Sequence, residues 1–187
     1  LKKGKWKKVQ SSGIHEYAST AHFRIENWDD KQEIPYRVIY RDGDSIGEWK
    51  GTIRKDPKDK NTIKLAAMSC MKDGAFPNHY LQQNVIAQDP DILFFAGDQL
   101  YEGNGGFGIV RAKKLADVPR ASLNYLQKYW IFGWSFRDVM KDRPSVVIPD
   151  DHDVYHGNIW GLGGGPVPDG GNKGSDGGYE MHAEWVR

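Results

Sequence analysis

The chain has 187 residues, room for one full domain or for a small domain joined to part of another, and either can bury a core. Its 26 basic and 25 acidic residues leave a formal net charge of +1, so no global field draws it to nucleic acid or to an anionic membrane. A single cysteine, Cys70, excludes an internal disulfide framework and leaves a buried thiol, a reactive thiol or a metal ligand.

No stretch approaches the roughly 20 continuous apolar residues of a spanning helix, and the first residues lack the apolar centre of a signal peptide. The chain opens on Leu1 and stops at Arg187 inside a stretch, 179–187, that reads as the start of an amphipathic helix. Both ends are therefore expected to be cuts in a longer protein.

From residue 6 to about residue 63 the pattern is that of strands. Ala21, Phe23 and Ile25 alternate with Thr20, His22, Arg24 and Glu26, and Tyr36, Val38 and Tyr40 repeat the same period of two. Turn-prone Asp29-Asp30 and Asp42-Gly43-Asp44 separate these runs, which predicts antiparallel pairing in a small β-sandwich. The lysines at 2, 3, 5, 7 and 8 read as a solvated strand edge protected by charge rather than as a nucleic-acid contact.

Beyond the polar Asp56-Pro57-Lys58-Asp59 the period changes, which marks a domain boundary near residue 60. Residues 62–69 predict a strand, and 78–88 a helix with Tyr80, Leu81, Val85 and Ile86 on its apolar side. The nearly unbroken apolar run 91–97 suits a strand covered on both faces. A helix from about 123 to 140 and a short buried strand over 144–149 follow. Strand, helix, strand, helix, strand argues for an α/β layer with parallel strands. The glycine-laden stretch 161–178 has neither period and reads as a long loop at the rim of a site.

In an open α/β sheet, ligands bind beyond the carboxyl ends of the strands. The three predicted strands end in Ser69-Cys70, in Gly97-Asp98-Gln99-Leu100-Tyr101-Glu102 and in Asp150-Asp151-His152-Asp153. Asp98, Glu102, Asp150, Asp151 and Asp153 would crowd one crevice and repel one another unless cations sat among them. Hard oxygen ligands with one thiolate and one phenolate suit a trivalent or borderline metal beside a divalent one better than a closed structural zinc site. Any one of these acids would ordinarily be a helix cap or a solvated turn residue; the metal reading rests on their occurring together. His156 is close enough in sequence to be a further candidate, and Arg111 is a candidate for steadying a phosphate.

Taken in order, these three motifs resemble those of the alkaline phosphatase D (PhoD-like) metallophosphoesterases. The resemblance runs from about residue 63 to residue 161. It implies an α/β, overall α+β, architecture: residues 1–60 as the closing part of an antiparallel, fibronectin- or immunoglobulin-like β-sandwich, and 61–187 as the first half of a metallophosphoesterase-type α/β sandwich. Residue by residue it implies that Cys70 and Tyr101 bind iron(III), that Asp98 bridges to a second metal, calcium in the best-known members, and that Asp151 holds that second metal. His152 stands in the place of the histidine beside the substrate phosphate, with Asp150, Glu102 and His156 as supporting residues. Gln99 stands where the family usually has Tyr, and Asp153 where it usually has Glu. The family's later Asp and His ligands would lie beyond Arg187, so this stretch alone is expected to be inactive.

The function this implies is hydrolysis of phosphate monoesters or diesters by in-line attack of a hydroxide held between two metals roughly 4 Å apart. The resemblance also implies export to the periplasm or beyond. A rival of another class is a catalytically silent binding module whose β-rich part stacks a glycan or surface polymer on some of the seven tryptophans. A calcium-binding protein built on acidic loops is disfavoured because no Asp-x-Asp-x-Asp-Gly spacing occurs.

Overall fold

A computed structural model of the chain describes residues 5–15, 20–71, 76–103, 108–155, 166, 169–170 and 178–187. The class is mixed α/β, with antiparallel pairs in the first third and a parallel sheet after them. Strands β1 (Ser11–Ile14) and β2 (Ala21–Phe23) pair antiparallel, as do β3 (Ile34–Asp42) and β4 (Ser45–Ile53). The second pair keeps an unbroken register from Ile34 opposite Ile53 to Asp42 opposite Ser45, closed by the expected turn at Gly43-Asp44. The two pairs are separate sheets.

The half-buried alternation expected over 20–26 is not realised. Phe23 is 48 % exposed and Ile25 39 %, because β1 and β2 pair only with each other. The β3–β4 hairpin does dock on the rest of the molecule. The Tyr36 hydroxyl donates to the Lys141 carbonyl at 2.8 Å, the Thr52 amide to Asp142 Oδ1 at 2.9 Å, and Arg54 pairs with Asp89 at 2.7 Å.

Strands β5 (Leu65–Met68), β6 (Ile92–Ala96) and β7 (Ser145–Ile148) form a parallel sheet in the order β5-β6-β7. Parallel neighbours need crossovers, and two helices supply them. Helix α1 (His79–Gln88) begins at the Asn78 side chain, which accepts from the Leu81 amide, one of the donors left over in a first turn. Helix α2 (Val118–Met140) starts five residues earlier than its apolar period suggested. Pro119 lies in its first turn, where a missing N–H costs no hydrogen bond.

Both helices cover the same face of the sheet. Met68, Leu93 and Phe95 meet Val85 of α1 and Phe132, Phe136 and Val139 of α2 in the main core. The ring of Phe95 stands edge-on to Phe132 and Phe136, with centroids 5.1 and 5.5 Å away. This one-sided cover corrects two expectations. Strand β6 alternates between fully buried Leu93 and Phe95 and half-buried Ile92, Phe94 and Ala96, so it is not covered on both faces. All four residues of β7 are exposed, Val146 at 51 %, because β7 has one strand neighbour and, among the described residues, no layer over its outer face. On α1 only Leu81 and Val85 turn inward, while Tyr80 is 83 % exposed, one residue off the core-facing line.

A second cluster, Leu100, Ala112, Ala121, Tyr155 and Met181, lies beyond the carboxyl ends of the strands. Asn124 of α2 is its polar hub. Its side-chain oxygen accepts from the Tyr155 hydroxyl at 2.7 Å and the Val110 amide at 3.2 Å, and its amide nitrogen donates to the Gly108 carbonyl. Of the predicted helix near the C-terminus, one short turn is present, α3 (Ala183–Val186), whose Trp185 packs against Tyr125 and Tyr155. Most of the glycine-rich stretch 161–178 lies outside the described residues.

At the other end of the sheet, buried Asp91 accepts from the ammonium of Lys60 and from the Lys64 amide at 3.0 Å, tying the approach to β5 onto the start of β6. The Lys60 hydrogen bond, followed by the Lys64 amide, holds the Asp91 carboxyl below its usual range. An acid depressed in the fold stabilises it above the unfolded-state value, about 3.9, and loses that contribution as pH falls through the folded value. Asp91→Asn is expected to cost about 1–2 kcal/mol in urea unfolding at pH 7. The difference from the parent protein should narrow as pH falls through the folded-state value.

Candidate metal centre

Three strand ends converge, and backbone geometry makes the convergence possible. Gly97, just past β6, has φ of +87°, a conformation that L side chains rarely adopt. A Cβ there would stand 2.4 Å from the Cβ of Asp150. The ends of β6 and β7 thus approach more closely than any other residue at 97 would allow. Cys70 and Asp98 also occupy the left-handed region, at φ of +54° and +53°. The Met71 amide donates to the Asp98 carbonyl at 3.2 Å and draws the end of β5 to the same place.

The Asp153 carboxylate completes the tie. It is 3 % exposed and accepts three backbone amides: Asp98 at 2.6 Å and Asp150 at 2.9 Å on Oδ2, and Gln99 at 2.9 Å on Oδ1. Burial pushes its pKa up, against the pull of those three amides, and the nearby charge of Asp98 adds to the push.

Around this frame the polar side chains gather. Asp98, Asp151 and His152 can each offer one ligand atom, all within 4.8 Å of one another. The Tyr101 hydroxyl donates to Asp98 Oδ2 at 3.0 Å, and its ring lies 4.2 Å from the His152 ring, centroid to centroid. Burial first, then the hydrogen bond and charge of Asp98, then Cys70 push the Tyr101 pKa well above the ordinary phenol value. Cys70 is therefore part of the same electrostatic environment; its sulfur also lies 3.2 Å from Ser69 Oγ. Buried Glu102 holds His152 Nδ1 at 2.6 Å. Burial lowers the His152 pKa, but the hydrogen bond and charge of Glu102, with Asp151 and Asp98 behind them, outweigh it and raise the value overall.

The donor set fits a cation. Asp98 Oδ1 is buried and has no hydrogen-bond partner among the described residues, a state that costs about 1–3 kcal/mol for a polar atom and more for a charged one. A bound cation would satisfy that oxygen and relieve the repulsion between Asp98 and Asp151.

The fold thus brings together Cys70, Asp98, Tyr101, Asp151 and His152, with Glu102 behind His152. The Asp150 side chain accepts from the Asp151 amide at 2.9 Å and acts as a turn-former beside the cluster. Arg111 is engaged elsewhere, its Nε 3.2 Å from Glu180 Oε2. His156 lies outside the described residues. The structural role of Asp153 was not legible from its residue type; the only hint in the sequence is its place at the end of an acidic run directly after a strand. Among the described residues no helix is long and apolar enough to cross a membrane. Compared with protein-family models, with curated proteins and with solved structures, the chain matches none.

Proposed function

We propose that this centre hydrolyses phosphate esters with the help of metal ions, in the manner implied by the resemblance to alkaline phosphatase D. The carrying observation is the meeting of Asp98, Asp151 and His152 from two strand ends, together with a buried Asp98 oxygen that has no hydrogen-bond partner among the described residues. Cys70, Tyr101 and Asp98 would hold iron(III), and Asp98 with Asp151 the second cation, calcium. When bound, such a pair supplies an acidified water and neutralises the phosphate oxygens in the transition state.

The chain's own residues do the rest. Asp98 gives one oxygen to Tyr101 and keeps the other buried with no hydrogen-bond partner among the described residues, which suits a shared carboxylate. Glu102 engages Nδ1 of His152 at 2.6 Å and so orients the ring. These acids raise its pKa, which favours the protonated imidazole that a proton donor to the leaving oxygen requires. Tyr101, tilted against that ring at 39° with centroids 4.2 Å apart, limits its rotation.

Two measurements test this reading. Metal content and a visible spectrum are taken on the protein: iron bound by a phenolate should give a coloured charge-transfer band, and Tyr101→Phe should abolish it. Hydrolysis of p-nitrophenyl phosphate and bis(p-nitrophenyl) phosphate is assayed on the protein carrying the later ligands that the resemblance expects, with loss on chelation and recovery on adding metal back. Failure of both substrates with metal present would overturn the proposal, and a band unchanged in Tyr101→Phe would overturn the role of Tyr101.

A further inference from the structure

We infer that Asp153 is the positioning residue of this centre, setting the gap between the Asp98 loop and the Asp151-His152 loop through a single carboxylate. The inference rests on the metal-site reading above and goes further by assigning the spacing of the ligands to a residue that is itself no ligand.

One atom carries the argument. Asp153 Oδ2 accepts from the amides of both Asp98 and Asp150, at 2.6 and 2.9 Å, and so bridges the backbone after β6 to the backbone after β7. Oδ1 takes the Gln99 amide at 2.9 Å, which uses the second oxygen on the β6 side as well. Both oxygens are thus occupied by main-chain donors, and the group is nearly sealed from water. Asp153 is also held from its own side, since its amide donates to the Asp150 carbonyl at 3.1 Å within the short turn that carries Asp151 and His152. Any shift of this side chain moves Asp98 against Asp151 and His152. With candidate ligand atoms of Asp98 and Asp151 within 4.8 Å of each other and of His152, little room is left for such a shift before a small cation loses one of its carboxylates.

A carboxylate suits the task better than its neutral analogue. Three N–H donors converge on it, and an amide side chain has only one acceptor oxygen, so its NH2 group would face at least one of those donors. A glutamate would accept all three but would separate the two loops by one methylene.

The test is a Mn2+ titration of the protein, read from the electron paramagnetic resonance signal of the free ion, for the parent, Asp153→Asn, Asp153→Glu and Asp91→Asn. Asp91 ties the opposite end of the sheet and serves as a control for lost stability alone. The expected result is Mn2+ affinity about 10–100-fold weaker in Asp153→Asn, as for other residues that orient metal ligands. Asp153→Glu should show a loss in the same range with a fall in melting midpoint no larger than that of Asp91→Asn, and Asp91→Asn should bind as the parent does. If Asp153→Asn does not fold, Asp153→Glu alone carries the comparison. Affinity within twofold of the parent in the folded Asp153 variants, or an equal loss in Asp91→Asn, would overturn the inference. A parent that binds no Mn2+ would overturn the metal-site reading and this inference with it.

Discussion

Gly97→Ala should be strongly damaging, lowering the free energy of unfolding by about 2–5 kcal/mol. Two independent penalties add. A non-glycine residue held at positive φ costs about 1–2 kcal/mol, and a methyl forced into a filled space costs about 1–3 kcal/mol. Both apply here, because Gly97 has φ of +87° and its added Cβ would meet the Asp150 Cβ at 2.4 Å. The obstacle is a β-carbon next to the backbone rather than the end of a flexible side chain, so relief requires the ends of β6 and β7 to part. That parting would separate Asp98 from Asp151 and His152, and metal binding should fall together with stability. Gly103, where an added Cβ meets nothing within 4 Å, supplies the control. Urea unfolding of the two alanine variants decides the matter; a Gly97→Ala protein within 0.5 kcal/mol of its parent would mean that the close approach is not needed.

His152→Asn is expected to separate chemistry from metal binding. If the imidazole delivers a proton to the leaving oxygen, turnover should fall about 10²–10⁴-fold while metal content holds. The loss should be larger for p-nitrophenyl-free substrates such as simple alkyl phosphates, whose poor leaving groups depend on protonation. Loss of metal in proportion to loss of activity would instead make His152 a ligand, the other role that its place beside Asp98 and Asp151 allows. The hold of Glu102 on Nδ1 is the reason for expecting the first outcome, since that nitrogen is engaged by a carboxylate.

The α/β class was legible because its signals are local. Asn78 precedes an apolar helical period and caps α1, and the runs over 91–97 and 144–149 are too short and too apolar to be anything but strands beside helices. Their parallel pairing followed from the helices between them. The candidate site was legible for a similar reason: carboxylates, a phenol, a thiol and an imidazole sit directly after strands, and parallel strands deliver their carboxyl ends to one side. Which faces would be covered was not legible. Val146 and Leu93 look alike in sequence, yet one is 51 % exposed and the other fully buried, because cover depends on which side of the sheet the helices cross.

Residue order alone settled the kinds of elements, their sequence along the chain and the chemical groups gathered at the strand ends, since periodicity and turn chemistry act over a few residues. Tertiary structure alone decided that Arg111 turns to Glu180, that Glu102 grips His152, and that Asp153 spends its carboxylate on three amides. Apart from the Asp150 amide, three positions from Asp153, those outcomes join residues 50 or more positions apart in the chain, as in the pairs Glu102–His152 and Asp98–Asp153, where the partner of a polar group is set by the packing of the sheet and helices around it.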